Sequence, residues 1–464
     1  MKLNYKRTIL VGFAFFLINA FWQAYDAIVP LILTNHFGLM QTASGVVMSF
    51  DNVLAVFMLP LFGAWSDKVN TKFGRRTPFI FIGTLVAVIS FVLLTFIDNY
   101  QILRLAEAGI PEIREALTDS EALEEILTKT FEITKQNPLP LVGFIATLLL
   151  VLVAMAFFRS PAVALMPDVT VKPLRSKGNA VINLMGTAGA IIVLGLGMVF
   201  STAKNPYMQY TGYVIATVAV MLMGLVIFML SVKERKWAQD MEKTSRELGL
   251  DALTAKDGTD RRLSGAEIKS LLLILASVAL WYVGYNSITS KYSVYASNIL
   301  KFDYNLTLIV AQAAAIVSYI PVGIISSKFG RKKTILAGVA MLGTAFLIGN
   351  FITSSSPELI MYPIFALAGI GWATINVNSF PMVVELARGS EVGKYTGYYY
   401  TASMAAQIIA PILSGALYDL FTMRAVFFAF GTVFVLFSFV TMLFVKHGDV
   451  IPEKKSALES FDVD

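Results

Sequence analysis

Long apolar runs recur from one end of this 464-residue chain to the other, and they constrain its fold more than any other feature. A helix needs about 20 mainly apolar residues to cross the hydrocarbon core of a bilayer. Because lipid offers no partner to a backbone N–H or C=O, runs of this length are expected to be helices. The sequence therefore predicts an all-α membrane protein. Twelve spans, numbered in chain order, are predicted near 8–33, 43–66, 77–97, 139–166, 178–202, 209–232, 267–290, 304–327, 333–352, 357–386, 395–418 and 423–446.

The composition argues against several other classes of protein. Hydrophobic residues make up 56% of the chain and charged residues only 15%, which is too little polar surface for a soluble protein of this size. There is no cysteine, and the two histidines, His36 and His447, lie near predicted helix ends. We therefore expect no metal, no cofactor and no enzyme active site. The net charge of +6 does not indicate nucleic-acid binding, because the basic residues lie between apolar runs.

The distribution of these basic residues predicts the orientation of the chain. Lysine and arginine gather in the connections that follow spans 2, 4, 6, 8 and 10, whereas the other connections are weakly charged or acidic. Positively charged connections remain in the cytoplasm. We therefore expect an integral protein of the plasma (inner) membrane with both termini in the cytoplasm. Examples of the basic connections are Lys68 to Arg76, Lys172 to Lys177, Lys233 to Lys236, Lys328 to Lys333, and Arg388 with Lys394.

Five segments follow from this topology. An N-terminal six-helix bundle contains an insertion outside the cytoplasm, which is expected to form one or two short amphipathic helices. A charged central linker begins with a surface helix in which Trp237 is predicted to anchor at the membrane interface. A second six-helix bundle and a cytoplasmic tail complete the chain. In order, these segments are 1–232 with its insertion 98–138, then 233–265, 266–447 and 448–464.

The two halves of the chain repeat a short motif. After span 2 the chain reads GAWSDK from Gly63 and FGRR from Phe73, and after span 8 it reads GIISSK from Gly323 and FGRKK from Phe329. A looser correspondence relates the connection that begins at Asp168 to the one that begins at Glu385. Two similar halves of six spans each are typical of transporters built from parallel repeats.

The repeat and its motif resemble the major facilitator superfamily over essentially the whole chain. More specifically, SDK at 66–68 with KFGRRTPFI at 72–80, and RSPAVALMPD at 159–168, resemble the sucrose-transporter and glycoside–pentoside–hexuronide groups. The resemblance implies a monomer, embedded in lipid, that uses alternating access to carry a mono- or disaccharide or a glycoside together with a cation.

The chain departs from the sodium-coupled members of those groups. Their typical acidic residues correspond here to Leu59, Ala55 and Arg159, and the arginine of the plant sucrose pattern corresponds to Val163. The sodium site is therefore not supported, and we expect a proton to be the coupling ion.

The repeated motif also predicts a cytoplasmic gate. Gly63 permits close helix approach, and Asp67 can cap a helix or pair with a cation. Arginines of the motif can pair with carboxylates at neighbouring helix ends, so that these pairs close the cytoplasmic side in one state and break in the other. The predicted gate residues are Gly63, Asp67, Gly74, Arg75, Arg76, Asp168, Arg331 and Glu385.

Three ionisable residues stand inside predicted spans, where charge is costly and usually functional. They are Asp26 in span 1, Asp51 in span 2 and Arg159 in span 4. An arginine that approaches or leaves a carboxylate would change the proton affinity of that carboxylate, so these residues are predicted to couple transport to a cation. The alternative is a static ion pair, or a carboxylate near enough to the surface to be solvated.

Polar and aromatic side chains at helical spacing predict a sugar site, because sugars need hydrogen-bonding groups for hydroxyls and aromatic faces for ring faces. The alternative for any one amide is a hydrogen bond between helices. The predicted substrate-binding residues are Trp22, Gln23, Asp26, Arg159, Asn183, Trp281, Tyr285, Asn286, Gln312, Trp372, Asn376 and Tyr399.

Other functions remain open at this stage. The chain could transport another small solute or exchange drugs for protons, although the drug exchangers often carry a glycine–proline pattern in span 5 that is absent here. A membrane receptor or enzyme is a remote alternative.

Overall fold

The computed structural model describes residues 3–110, 120–171, 174–203, 209–247, 264–384, 386 and 392–448. Within these ranges, twelve helices are long and apolar enough to cross a membrane, and the only β feature is one bridge between Thr71 and Gly74. The predicted all-α fold with twelve spans is therefore confirmed.

The helices keep the span numbers given above, and most of their ends lie within a few residues of the predicted positions. In order they are Tyr5–Leu31, Gln41–Lys68, Thr77–Glu107, Leu139–Val169, Arg175–Val199, Thr211–Ser231, Gly265–Thr289, Tyr304–Phe329, Arg331–Gly349, Met361–Val384, Val392–Leu420 and Met423–Leu443. Two further helices do not cross the membrane: the insertion helix, Ser120–Gln136, and the linker helix, Glu234–Glu247.

The two halves pack in the same way. In the first half, span 1 packs against spans 5 and 6, span 3 against spans 4 and 6, and span 2 against span 4. In the second half, span 7 packs against spans 11 and 12, span 9 against spans 10 and 12, and span 8 against span 10. Each pair of packed spans in the first half therefore has an equivalent pair in the second half, with both span numbers larger by six. The halves meet where span 2 packs against span 11 and span 5 against span 8, which are equivalent pairs under the same relation.

Alternation of the spans gives the bundle two faces. We call the face that carries the connections after spans 2, 4, 6, 8 and 10 the basic face, and the other the opposite face. At the opposite face, span 1 continues as a π-helical turn, Ile32–His36, and the second half has a similar turn, Tyr295–Leu300, before span 8.

Span 3 extends to Glu107, about ten residues beyond its predicted end, because polar residues of its last turns are buried. Asp98 lies 2.5 Å from His36 between Oδ1 and Nδ1, and both side chains are fully buried. Gln101 Nε2 donates to the His36 carbonyl and to Thr134 Oγ1 of the insertion helix, at 3.0 Å in each case. Gln101 thus links the insertion helix to the end of span 1 through hydrogen bonds.

The linker helix packs on the first half through its tryptophan. Trp237 is buried, and the Arg7 guanidinium lies 5.3 Å from its ring centroid. Arg7 also pairs with Asp240 at 3.0 Å. Trp237 is therefore a packing residue rather than the membrane-interface anchor that the sequence predicts, because Arg7 and the end of span 4 cover it. The rest of the predicted linker, 248–263, lies outside the described residues.

Candidate functional site: a polar cavity between the halves

A cavity of about 200 Å³ lies between the two halves of the bundle. Spans 1, 2 and 4 form its wall in the first half, and spans 7 and 11 form its wall in the second. Its lining consists of Trp22, Tyr25, Asp26, Met48, Asp51, Asn52, Arg159, Asn286, Thr289, Ser290, Gln407 and Pro411.

All three ionisable residues predicted from the spans face this cavity. Asp26 exposes its side chain to it, whereas Asp51 and Arg159 are partly covered. Asp51 Oδ1 accepts a hydrogen bond of 2.8 Å from Asn52, and the Arg159 guanidinium lies 5.8 Å from the ring centroid of Trp22. Within the described chain, no ion pair joins Arg159 to either carboxylate. The three charged groups therefore surround the cavity without forming ion pairs with one another.

Uncharged polar groups complete the wall. Asn286 donates its amide N–H to the Tyr282 carbonyl at 2.8 Å, and Gln407 donates to the Ser403 carbonyl at 3.3 Å. Each side-chain oxygen is then available as an acceptor. Three buried groups of the same wall have no hydrogen-bond partner within the described protein: Trp22 Nε1, the Tyr25 hydroxyl and Ser290 Oγ. Buried polar atoms are normally paired, so these groups suit a site that binds a hydrogen-bonding solute.

The structure brings only part of the predicted sugar site into this wall, namely Trp22, Asp26, Arg159 and Asn286. Trp281 is 0% exposed in the core of the second half, so it does not reach the cavity.

The remaining predicted residues lie outside the lining. Gln312 Nε2 donates to Gln23 Oε1 at 2.8 Å, so these two residues join spans 8 and 1. The rings of Tyr285 and Trp372 stack at 3.8 Å with an angle of 7°, so each covers a face of the other. Tyr399 is buried and its hydroxyl lies 2.9 Å from Ser379 Oγ.

Two predicted asparagines, Asn183 of span 5 and Asn376 of span 10, also lie apart from the lining. Asn183 is partly buried, and its carbonyl accepts a bond of 3.1 Å from Thr187. Asn376 is likewise partly buried, and its carbonyl accepts from Ser379 at 3.5 Å.

Two lining residues, Asn52 and Ser290, were not predicted from the sequence. The sequence could have indicated Asn52, because it follows Asp51 within an apolar run where polar residues are costly. No sequence feature indicates Ser290, since a serine at the end of a span is common. Only the packing of the two halves places it in the wall.

At the basic face, the motif after span 2 forms a cluster within the first half. The Arg76 guanidinium donates to Asp168 at 2.8 Å through Nε and also to Asp67 and Ser66. Burial alone would lower the pKa of Arg76, but Asp168 and Asp67 outweigh it and raise that pKa above its usual value. Two of the predicted gate carboxylates therefore share one arginine. At Gly63 the helices lie close together, because a Cβ there would lie 2.7 Å from Ser160 Oγ.

A carboxylate of the linker helix completes this cluster, and the sequence reasoning missed it. Glu234 accepts from the backbone N–H groups of Arg75, Arg76 and Thr77 at 2.6, 2.9 and 2.8 Å, and from the Thr77 hydroxyl at 2.7 Å. It thereby caps the N-terminus of span 3, where orphan N–H groups and the helix dipole favour a negative charge. Gly74 is required beside it, since its φ is +125° and a Cβ would lie 2.2 Å from the Glu234 carboxyl carbon.

The other predicted gate residues are less informative. Arg331 is buried at the start of span 9, whereas Glu385 lies outside the described residues. Arg75 contributes its backbone N–H to Glu234.

Hydrogen bonds tie the halves together on the side of the opposite face. Asn298 Nδ2 donates to Asn35 Oδ1 at 2.7 Å, so the two π-helical turns are joined. The Tyr304 hydroxyl donates to Thr202 Oγ1 at 2.7 Å, which joins span 8 to the end of span 5. Asp419 at the end of span 11 accepts from the backbone of span 2. These contacts lie between the cavity and the opposite face, so this structure is closed on that face.

Two halves of six membrane helices around a polar cavity are the architecture of many secondary transporters. The family model of the Major Facilitator Superfamily matches residues 11–318 and 301–461. The chain belongs to this superfamily, and with twelve helices able to cross a membrane among its described residues it is an integral membrane protein.

Individual similarities are more distant. An uncharacterised MFS-type transporter of Methanocaldococcus jannaschii is 25% identical over 278 residues, which are 58% of this chain and 64% of the relative. Proton-associated sugar transporter A of Homo sapiens is 33% identical over 93 residues, 20% of this chain and 12% of that protein. The chain thus spans less than two thirds of the length of either relative. The xylose transporter XylE from E. coli, solved in an inward open conformation, has a TM-score of 0.61 at 14% identity, over 97% of this chain and 98% of XylE.

Proposed function

We propose that this protein is a proton-coupled symporter of a sugar or glycoside that works by alternating access. One observation carries the proposal: Asp26, Asp51 and Arg159 converge on a cavity between the halves whose remaining wall is rich in uncharged hydrogen-bonding groups. The partial match to a proton-associated sugar transporter supports the same substrate class.

The charge of the cavity explains how a proton would take part. With both carboxylates ionised, Asp26, Asp51 and Arg159 sum to −1, and a single bound proton brings the sum to zero. A net charge in a low-dielectric membrane site is costly. The protonated cavity is therefore the form in which the halves can close over a solute, and release of the proton accompanies release of the solute.

The size of the cavity favours a small solute. Pockets for drug-sized ligands are roughly 300–1,000 Å³, whereas this cavity measures about 200 Å³ in the closed-face state. Its wall also offers amide, hydroxyl and indole N–H groups, as hydroxyl-rich ligands require. The small volume and the polar wall both favour a sugar over an apolar drug.

The orientation is part of the proposal. The basic face is assigned to the cytoplasm because the basic connections lie there, which places both termini in the cytoplasm. The structure closed on the opposite face is then the state closed toward the outside.

Uptake into proteoliposomes tests the proposal. The purified protein is expected to accumulate a radiolabelled mono- or disaccharide when the medium outside is more acidic than the lumen. Accumulation should cease when a protonophore collapses the gradient, and a sodium gradient should not replace it. A saccharide that accumulates with sodium alone would refute the proton. Failure of every saccharide to bind or enter would refute the substrate class.

Replacing Asn286 tests the cavity wall directly. Asn286→Ala removes a hydrogen-bonding group from the wall and is expected to raise the KM for the transported sugar about ten-fold, with a smaller effect on kcat. Asn376→Ala is the matched control, because Asn376 is an asparagine of the same half that lies outside the lining. Uptake kinetics measure both variants. An equal change of KM in the two would show that the wall described here does not bind the solute.

A further inference from the structure

The first turn of span 2 receives its cap from the other half of the protein. Span 2 has no side-chain cap of its own at Met40. Instead, Asp419 at the end of span 11 accepts from the backbone N–H groups of Gln41 and Thr42 through its two oxygens, at 2.7 Å each. The Thr42 hydroxyl also donates to Asp419 at 2.5 Å. These N–H groups have no partner inside their own helix, so Asp419 satisfies them only while the halves meet here.

A lysine of the second half holds the same residue from its other side. Lys291 follows span 7, is 0% exposed, and donates through Nζ to the Gln41 carbonyl at 3.1 Å. The N–H of Gln41 is thus bound by Asp419, and its C=O is bound by Lys291. Both charged residues belong to the second half, whereas the hydrogen bonds of their side chains in this state join the first half. The two charges also attract each other.

Two glycines set the register of this contact. A Cβ on Gly45 of span 2 would lie 2.1 Å from the Pro411 carbonyl oxygen, and one on Gly415 of span 11 would lie 2.4 Å from the Gln41 carbonyl oxygen. The two helices therefore touch backbone to backbone. This close crossing places Asp419 opposite the first turn of span 2.

We infer that Asp419 and Lys291 form an exchange latch at the opposite face. In the closed state Asp419 binds Gln41 and Thr42, and Lys291 binds Gln41. When the halves part on this face, span 2 withdraws, and the carboxylate and the ammonium that remain on the second half pair with each other. This exchange keeps a buried lysine from being left without a partner, which would be strongly unfavourable. The latch sets the balance between closed and open states, and it rests on the proposed alternating access.

Because the chain contains no cysteine, a spin label will attach only to a cysteine introduced by mutation. Leu103 and Phe351 are exposed near the opposite face on the first and second halves. Phe73 and Phe329 are exposed near the basic face on the two halves. Pulsed EPR distances in each pair, measured on the full chain in liposomes, report which face is open.

Asp419→Ala is expected to raise the ratio of open to closed states at the opposite face by up to about five-fold, because loss of the helix cap outweighs loss of the open-state pair. The distance between labels at 103 and 351 should lengthen, and that between labels at 73 and 329 should shorten. Asp419→Asn keeps one capping oxygen but loses the carboxylate that pairs with Lys291 in the open state, so it should open this face less than Asp419→Ala does. Thr42→Val removes only the hydroxyl contact and gives a milder shift in the same direction, which provides a readout if the alanine variant folds poorly.

Thr422→Ala is the matched control, because Thr422 caps span 12 at the same face but entirely within the second half. It should leave both distances unchanged. An Asp419→Ala variant that is no more open than this control would overturn the latch.

A double-mutant comparison tests the exchange of partners. In wild type, Asp419→Ala removes the cap of the closed state and also the pair of the open state, and these effects oppose each other. In a Lys291→Met background the open-state pair is already absent, so Asp419→Ala should shift the ratio further than it does in wild type. An equal shift in both backgrounds would contradict the exchange. Because the distances need neither sugar nor a proton gradient, failure here and failure of sugar transport are separate outcomes.

Discussion

Asparagine in place of Asp26 is expected to abolish accumulation of solute against its gradient, so that uptake stops at the equilibrium level. Asparagine has nearly the same shape as a protonated aspartate but cannot gain or lose a proton. The cavity of Asp26→Asn would therefore carry the charge of the loaded state throughout the cycle. Exchange of labelled for unlabelled solute, which needs no net proton movement, should persist. Proteoliposome accumulation and exchange assays measure the two activities separately.

The second cavity carboxylate allows the proton carrier to be assigned. Asp51 differs from Asp26 in that it already accepts a hydrogen bond from Asn52 and is less exposed to the cavity. If Asp51 carries the proton instead, Asp51→Asn will show the loss of accumulation and Asp26→Asn will not. Asp303→Asn is the control, because Asp303 caps span 8 outside the cavity and asparagine can still accept that bond. Wild-type accumulation by both cavity variants would remove these carboxylates from the coupling mechanism.

Arg159 supplies the positive charge of the same cavity, and its removal should have a different effect. Arg159→Ala leaves two carboxylates with no cation in the wall, so both exchange and accumulation should fall. Sugar binding to the purified protein, measured without any gradient, should weaken as well. If sugar binding is unchanged in Arg159→Ala, the arginine does not bind the sugar and acts only in coupling.

Alanine in place of Gly74 is expected to have the second large effect, on stability as well as on transport. The φ of +125° at Gly74 is strained for any residue with a Cβ, and that atom would lie 2.2 Å from the carboxyl carbon of Glu234. Glu234 must then leave the four groups that it accepts from at the start of span 3. Loss of such a charged cap costs about 2 kcal/mol or more once strain is added. A lower melting temperature and reduced uptake should both appear.

Gly109 offers a control that separates strain from collision. Its φ is +70°, yet among the described residues no atom beyond its chain neighbours lies within 4 Å of the position that a Cβ would occupy. Gly109→Ala should therefore show the backbone strain alone and a smaller loss of stability. Glu234→Gln keeps the oxygen acceptor but removes the charge, so its melting temperature should fall between wild type and Gly74→Ala. Equal stability of the two glycine variants would show that the Glu234 cap contributes nothing.

The sequence by itself determined the spans, because crossing a bilayer is a requirement on local composition that each run must meet alone. It also singled out Asp26, Asp51 and Arg159, since a charge inside a span is tolerated only where the bundle supplies a polar environment. All three face the cavity. The end of span 3 was placed too early, because only the burial of Asp98 against His36 shows why the helix continues.

Only the tertiary structure decided which polar and aromatic side chains share a wall. Trp281 and Asn286 lie on the same span, but the packing of span 7 buries the first in the second half and turns the second toward the cavity. The helix caps from Glu234 and Asp419 join positions 157 and 377 residues apart. No local pattern encodes such pairs, because a carboxylate becomes a cap only when the fold brings it to the unpaired N–H groups of another helix.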